Sequence, residues 1–150
     1  MRIPFRADLY EKVASGEKTA TIRDGTYWAR RLRPGQKVEL AFGRRDRPKI
    51  LPALVREIVV LDMTPEVELA RAVLEAPTDE EAERLWEEAV AREGSPSEYD
   101  AWHNDVFEKA LQDSGNDPWD LLFGLAAANP PIREITIIWW DLLRESPSAS

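Results

Sequence analysis

The sequence contains no cysteine and a single histidine, His103. Disulfides, thiolate metal sites and a cysteine nucleophile are therefore excluded. A multi-histidine metal cluster cannot be built, and a serine–histidine triad would have to run through that one imidazole. No metal and no cofactor is expected. The absence of cysteine fits a reducing cytoplasm, and that is the expected location. Glycine is also scarce: seven are scattered along the chain, forming neither a dinucleotide-binding fingerprint nor a P-loop. The longest apolar runs, Ile135 to Trp140 and Leu121 to Ala128, are too short to cross a bilayer, so no membrane partner is expected. The opening MRIPFRADLY carries charges within its only apolar stretch and does not read as a signal peptide.

What is present describes one globular domain of 150 residues, 43% hydrophobic and 32% charged. The net charge of −8 conceals an asymmetry. Residues 1–60 hold 14 Lys/Arg against 7 Asp/Glu, whereas residues 61–150 hold 6 against 21. Two readings are open. One is a basic face aimed at an anionic partner with an acidic solubilising face elsewhere. The other is a set of charges that pair and cancel in three dimensions.

The pattern of residues predicts strands first, then helices, then one returning strand. Arg2 to Phe5 reads as a short strand and Arg6 to Ser15 as a short helix stopped by Gly16. Strands are expected over Lys18–Arg23, Val38–Phe42 and Ile50–Leu61, the last bent or placed at an edge by Pro52. Thr64-Pro65 predicts an N-cap with proline after it, and Thr78 with Glu81 a capping box. The helix so opened carries Ala82, Leu85, Trp86, Ala89 and Val90 on one stripe. A further capping box, Ser95 to Glu98, precedes a stripe of Tyr99, Trp102, Val106 and Ala110. Asp117-Pro118 opens a last helix with Trp119, Leu122, Phe123 and Ala126 facing inward. Ile132 to Leu143 is apolar on both faces, as in a central strand or barrel wall. The returning strand predicts one α+β domain over residues 1–144, with 145–150 as a disordered tail.

The segment Gly16-Glu17-Lys18-Thr19-Ala20-Thr21-Ile22-Arg23-Asp24 resembles the GxKTxTxR signature of the ASCH family, a branch of the PUA-like β-barrels. Ala91 to Ser97, with Trp102, His103 and Phe107 downstream, is similar to that family's Glu-Gly motif and its following helix. The resemblance implies a small mixed PUA-like β-barrel with a helical block inserted before the last strand. The block from about Leu74 to Glu88 and the stretch from Gly115 to Pro131 exceed a minimal domain of this kind and could lie over the barrel mouth. The resemblance also implies RNA or a small modified nucleoside as the partner. In the family's amidohydrolase branch, which deacylates acetylated cytidine, the working Lys, Thr and Glu fall here on Lys18, Thr21 and Glu93.

Amide hydrolysis needs a nucleophile, a proton carrier and an oxyanion stabiliser. Thr21 could attack or position a water. Lys18 could serve as general base if burial and Arg23 lowered its pKa. Glu93 could hold Lys18 or shuttle the proton. In a regular strand Lys18 and Thr21 point to opposite faces, so they can meet only if Lys18 lies in the turn before the strand or a bulge intervenes. Arg23 reads either as a barrel salt bridge or as a phosphate contact. Trp28, beside Tyr27, could stack on a base or cap the barrel. Arg44 and Arg45, with Arg30, Arg31, Arg33 and Arg47, predict a basic substrate-binding patch. His103 reads as a packed helix residue. The favoured expectation is hydrolysis of an acyl amide on a cytidine-like nucleoside; a non-catalytic RNA-binding module and an ASCH-type ribonuclease stand beside it.

Overall fold

The computed structural model describes residues 1–91 and 98–143, apart from the side chain of Tyr99. Alternating apolar residues lay down β1 (Arg2–Phe5), β2 (Ala20–Asp24) and β3 (Lys37–Phe42), followed by β4 (Lys49–Asp62) and, late in the chain, β5 (Glu134–Leu142). They form one sheet in the order β1-β3-β4-β5-β2. The β1–β3 pair is parallel and the other three pairs are antiparallel. The sheet curls into a half-barrel, as the α+β expectation requires. Its two edges are bridged by a side chain: Arg23 Nη2 on β2 donates to the Pro4 carbonyl on β1 at 2.6 Å.

β4 serves two partners along its 14 residues. Lys49 to Leu54 pair with β3, and Ala53 to Asp62 pair with β5. The sequence predicts at Pro52 either a bend or an edge position, and β4 is an inner strand of the sheet. The register shift falls instead between Val55 and Glu57, and Pro52 pairs with Glu39 inside the β3–β4 ladder. The Pro52 carbonyl accepts from Leu143 N at 2.9 Å, so the missing proline N–H faces the end of β5 and costs the β3 ladder nothing.

β5 is the spine of the molecule, buried from Ile135 to Trp140. Ile135, Ile137 and Trp139 point into one core with Ala20, Ile22 and Leu61, which the helices cover through Val67, Ala70, Ala110 and Leu125. Ile138 and Trp140 enter a second core with Ile3, Phe5, Leu40, Phe42 and Val55. Burial on both faces is thus explained by two cores sharing one strand.

The helical block between β4 and β5 comprises α2 (Thr64–Glu75), α3 (Asp79–Ala91), α4 (Glu98–Ser114) and α5 (Pro118–Ala127). A short α1 (Tyr10–Ala14) follows β1. Several helix details differ from the sequence reading. Thr64 is the first residue of α2 rather than its cap, and its N–H and hydroxyl both donate to Asp62 Oδ1. Thr78 Oγ1 does accept from Glu81 N, at 3.1 Å. The α3 stripe stays out of the core: Trp86 is 38% exposed and the helix has no buried residue, because α3 packs on α2 rather than on the sheet core. In α4 the inward face is rotated from the expected one. Trp102 is exposed, while His103 is buried with Nε2 2.9 Å from the Asp62 carbonyl. Trp119, expected inward, is 45% exposed. The capping box at Ser95 lies outside the described residues. Among the described residues no helix is long and apolar enough to cross a membrane.

Asp117 Oδ1 accepts from the N–H groups of Trp119 (2.8 Å) and Asp120 (3.1 Å), which caps α5. Asp117→Ala is expected to lower unfolding free energy by about 1 kcal/mol, read as a reduced urea midpoint at unchanged slope.

Candidate functional site

The site begins with a turn. Gly16 has φ +82°, a left-handed conformation that reverses the chain after α1. The reversal lets Lys18 N donate to the Lys12 carbonyl at 2.9 Å and Thr19 N to the Asp113 carbonyl at 2.8 Å. Strand β2 starts only at Ala20, two residues later than expected. Lys18 therefore lies in the turn before the strand, which removes the objection that Lys18 and Thr21 would face opposite ways. Both line one cleft of about 550 Å³, with Arg6, Arg23 and Asn116.

Lys18 is 6% exposed, and its Nζ donates to the Ser114 carbonyl at 2.6 Å. Ser114 is the last residue of α4, so the ammonium sits at the negative end of a 17-residue helix. Burial nevertheless pulls the Lys18 pKa from its usual 10.5 down to about 8, with Arg23, Lys12 and Arg6 adding to the depression. Thr21, also buried, accepts from Arg23 Nε through Oγ1 at 3.1 Å. The Arg23 guanidinium is fixed on three sides: by Thr21, by the Pro4 carbonyl, and by the Phe5 ring 4.7 Å from its carbon. Burial lowers the Arg23 pKa, against the opposing pull of Asp24. Arg23 is the clamp across the open seam of the sheet, and it also lines the cleft.

Two of the clefts that adjoin this one extend it. The first, of about 500 Å³, meets it at Lys18, Arg6 and Asn116 and extends to Asp117 and Asp120. The second, of about 610 Å³, meets it at Pro4 and Gly43 and extends past Trp28, Tyr27 and Arg45. Gly43 has φ +93° and donates to the Phe5 carbonyl, and an added Cβ there would lie 3.4 Å from Ala7 Cβ. Trp28 is half-buried, edge-on to Tyr27 at 5.2 Å, and Tyr27 carries the Arg31 guanidinium over its face at 3.5 Å. Arg30, Arg31, Arg33, Arg44, Arg45 and Arg47 are all exposed. Arg45 lines the Trp28 cleft, whereas Arg44 points to an exposed ion pair with Asp46 at 3.6 Å. Glu93 lies outside the described residues.

The central cleft thus gathers Lys18, Thr21, Arg23 and Arg6, with no carboxylate among its described lining residues. A buried amine near neutrality can take up and return a proton. A hydroxyl held by a guanidinium can act as nucleophile or orient one. The cations around them favour an electron-rich oxygen. Among the described residues no group of three or more His, Asp and Glu is placed to hold a metal. Sequence reasoning missed Ser114, Arg6 and Asn116. The signal for Ser114 was Gly115, a glycine that ends the helix and so exposes a terminal carbonyl; it has φ +73°.

No family model and no curated protein matches the chain. Among solved structures the chain is similar to a protein of Enterococcus faecalis V583 described under the family model DUF984. The identity is 15% over 91% of this chain and 70% of that one, with TM-score 0.47. It is also similar to an ASCH domain from Lactobacillus crispatus JV V101, at 15% identity over 94% and 77%, with TM-score 0.37.

The Lys18 pKa carries a stability signature. Below pH 8 the folded and unfolded chains both hold the proton. Between about 8 and the ordinary 10.5 the unfolded chain binds more protons, so the Lys18 contribution to stability rises with pH across that window. Lys18→Met is expected to be more stable relative to the parent at pH 7 than at pH 10, by up to about 2 kcal/mol. Urea titrations of both proteins at the two pH values check this; a difference that does not change with pH contradicts it.

Proposed function

We propose that this chain hydrolyses an acyl amide on a small cytidine-like nucleoside, with Lys18, Thr21 and Glu93 as the working set. The observation that carries the reading is the buried Lys18 ammonium, with a pKa near 8, lining the same cleft as the Thr21 hydroxyl. The sequence resemblance of the GxKTxTxR segment to the ASCH signature supports the same assignment. In the neutral form Lys18 takes the proton from Thr21, or from a water that Thr21 holds, as that oxygen bonds to the acyl carbon, and gives it to the amine nitrogen as the C–N bond breaks; where Thr21 attacks, a water then cleaves the acyl ester, releasing the carboxylic acid and restoring the hydroxyl. Arg6 and Arg23 stabilise the oxyanion of the tetrahedral intermediate. The resemblance to the ASCH motifs assigns Glu93 the role of holding Lys18 or relaying its proton. The base occupies the adjoining Trp28 cleft, where an indole offers a stacking face.

The exposed arginines beside that cleft favour a second reading, a non-catalytic RNA-binding module. The two readings separate on salt. RNA affinity should fall steeply with salt, and Arg44→Ala with Arg45→Ala should flatten the slope. Turnover of a neutral nucleoside should respond little.

Incubation with N4-acetylcytidine is expected to release free cytidine. The rate at low substrate should rise with pH and level off above about 8, as Lys18 loses its proton. Lys18→Ala and Thr21→Val should each reduce kcat/KM by at least about a hundredfold, while Thr21→Ser keeps part of it. Full activity in Lys18→Ala would end this reading.

A further inference from the structure

A separate cavity of about 480 Å³ lies between α2, α3 and α5 and shares no lining residue with the Lys18 clefts. Its aromatic wall is Trp86, Trp119 and Phe123. Trp86 meets Trp119 edge-on at 4.6 Å, and Trp119 stacks on Phe123 at 6.0 Å. Two indoles left 38% and 45% exposed are a large apolar surface for a free face. The charged residues of the lining are all acidic, Glu66, Glu83 and Glu87, with no Lys or Arg among the described ones.

Glu66 is the telling group. Its Oε2 is buried and has no hydrogen-bond partner among the described residues. A buried carboxylate oxygen without a donor is costly, and because this oxygen has no accessible surface of its own an ammonium reaches it only as the Glu66 carboxylate turns toward the cavity. The cations on the neighbouring helices are committed elsewhere. Arg71 donates to Glu75 and to the Ala126 carbonyl, and Arg84 pairs with Glu81 and Glu88.

We propose that this pocket binds a small organic ammonium ion with an aryl or alkyl body. The ammonium donates to Glu66, and the body lies against Trp86, Trp119 and Phe123, whose ring faces also attract the cation. Charge complementarity selects a cation, and a cavity of this volume bounded by three helices is of small-molecule size.

The probe is 4-phenylbutylammonium, compared with the neutral 4-phenyl-1-butanol of nearly the same shape. Binding is read on the indole N–H resonances of the six tryptophans. Saturable shifts are expected at Trp86 and Trp119, with the amine binding at least about tenfold more tightly than the alcohol. Glu66→Gln should bring the amine down to the affinity of the alcohol. The wild-type comparison stands even if that variant folds poorly. Equal affinities for amine and alcohol, no saturable shift, or shifts confined to Trp28 or Trp140 would overturn the proposal. So would concentration-dependent broadening of Trp86 and Trp119 that the amine does not relieve, since a second copy of the chain would then fill the pocket.

Discussion

An ammonium taken out of water beside three other cations needs a strong acceptor, and the Ser114 carbonyl at the end of α4 is the one bonded to Lys18. That 2.6 Å contact joins elements 96 residues apart in the chain. Its neighbourhood repeats the connection. Thr19 N donates to the Asp113 carbonyl, and the indole of Trp139 on β5 donates to Asp113 Oδ2 at 2.9 Å. The end of α4 is thereby tied to the turn before β2 and to the central strand at once. The helical block is registered on the sheet at the point where Lys18 is buried, so the local chemistry and the global packing are one arrangement.

The clefts exist because the sheet does not close by backbone pairing. Arg23 spans the seam between β1 and β2 with one donated bond to Pro4 and a ring contact to Phe5. A side-chain bridge leaves room beside it that a ladder of backbone bonds would fill. Charge follows the same division. Among the described residues, the ion pair that crosses between the basic first 60 residues and the acidic remainder is Arg56–Asp141, at 3.7 Å. The others stay within one half, as Arg2–Glu39 and Arg71–Glu75 do. Arg6, Lys18 and Arg23 line the cleft at the seam, the cleft beside it adds Lys12 but also Glu17, Asp117 and Asp120, and glutamates line the pocket between the outer helices.

Much of this was legible in the residues. The β3 alternation of Val38, Leu40 and Phe42, the two-faced burial of β5 and the Asp117 cap followed directly from periodicity and cap chemistry. Burial and Arg23 are legible as conditions that would lower the Lys18 pKa, but the net direction is not, and neither is the acceptor, since nothing local links residue 18 to Ser114. Helical spacing identified the stripes of α3 and α4 without saying how deeply they pack. Trp86, Trp102 and Trp119 read as core and are exposed, because α3 packs on α2 and α4 turns His103 inward instead. An apolar stripe states that a face is apolar; the layers already present decide whether it is covered.

The proposed chemistry depends on Lys18 being a buried amine with a pKa of about 8. The direct measurement is an NMR titration of the Lys18 Cε and Hε resonances, assigned by their loss in Lys18→Met. A midpoint at about 8 is predicted. A midpoint at the ordinary 10.5 would show a solvated lysine and would contradict both the burial of this group and the chemistry built on it.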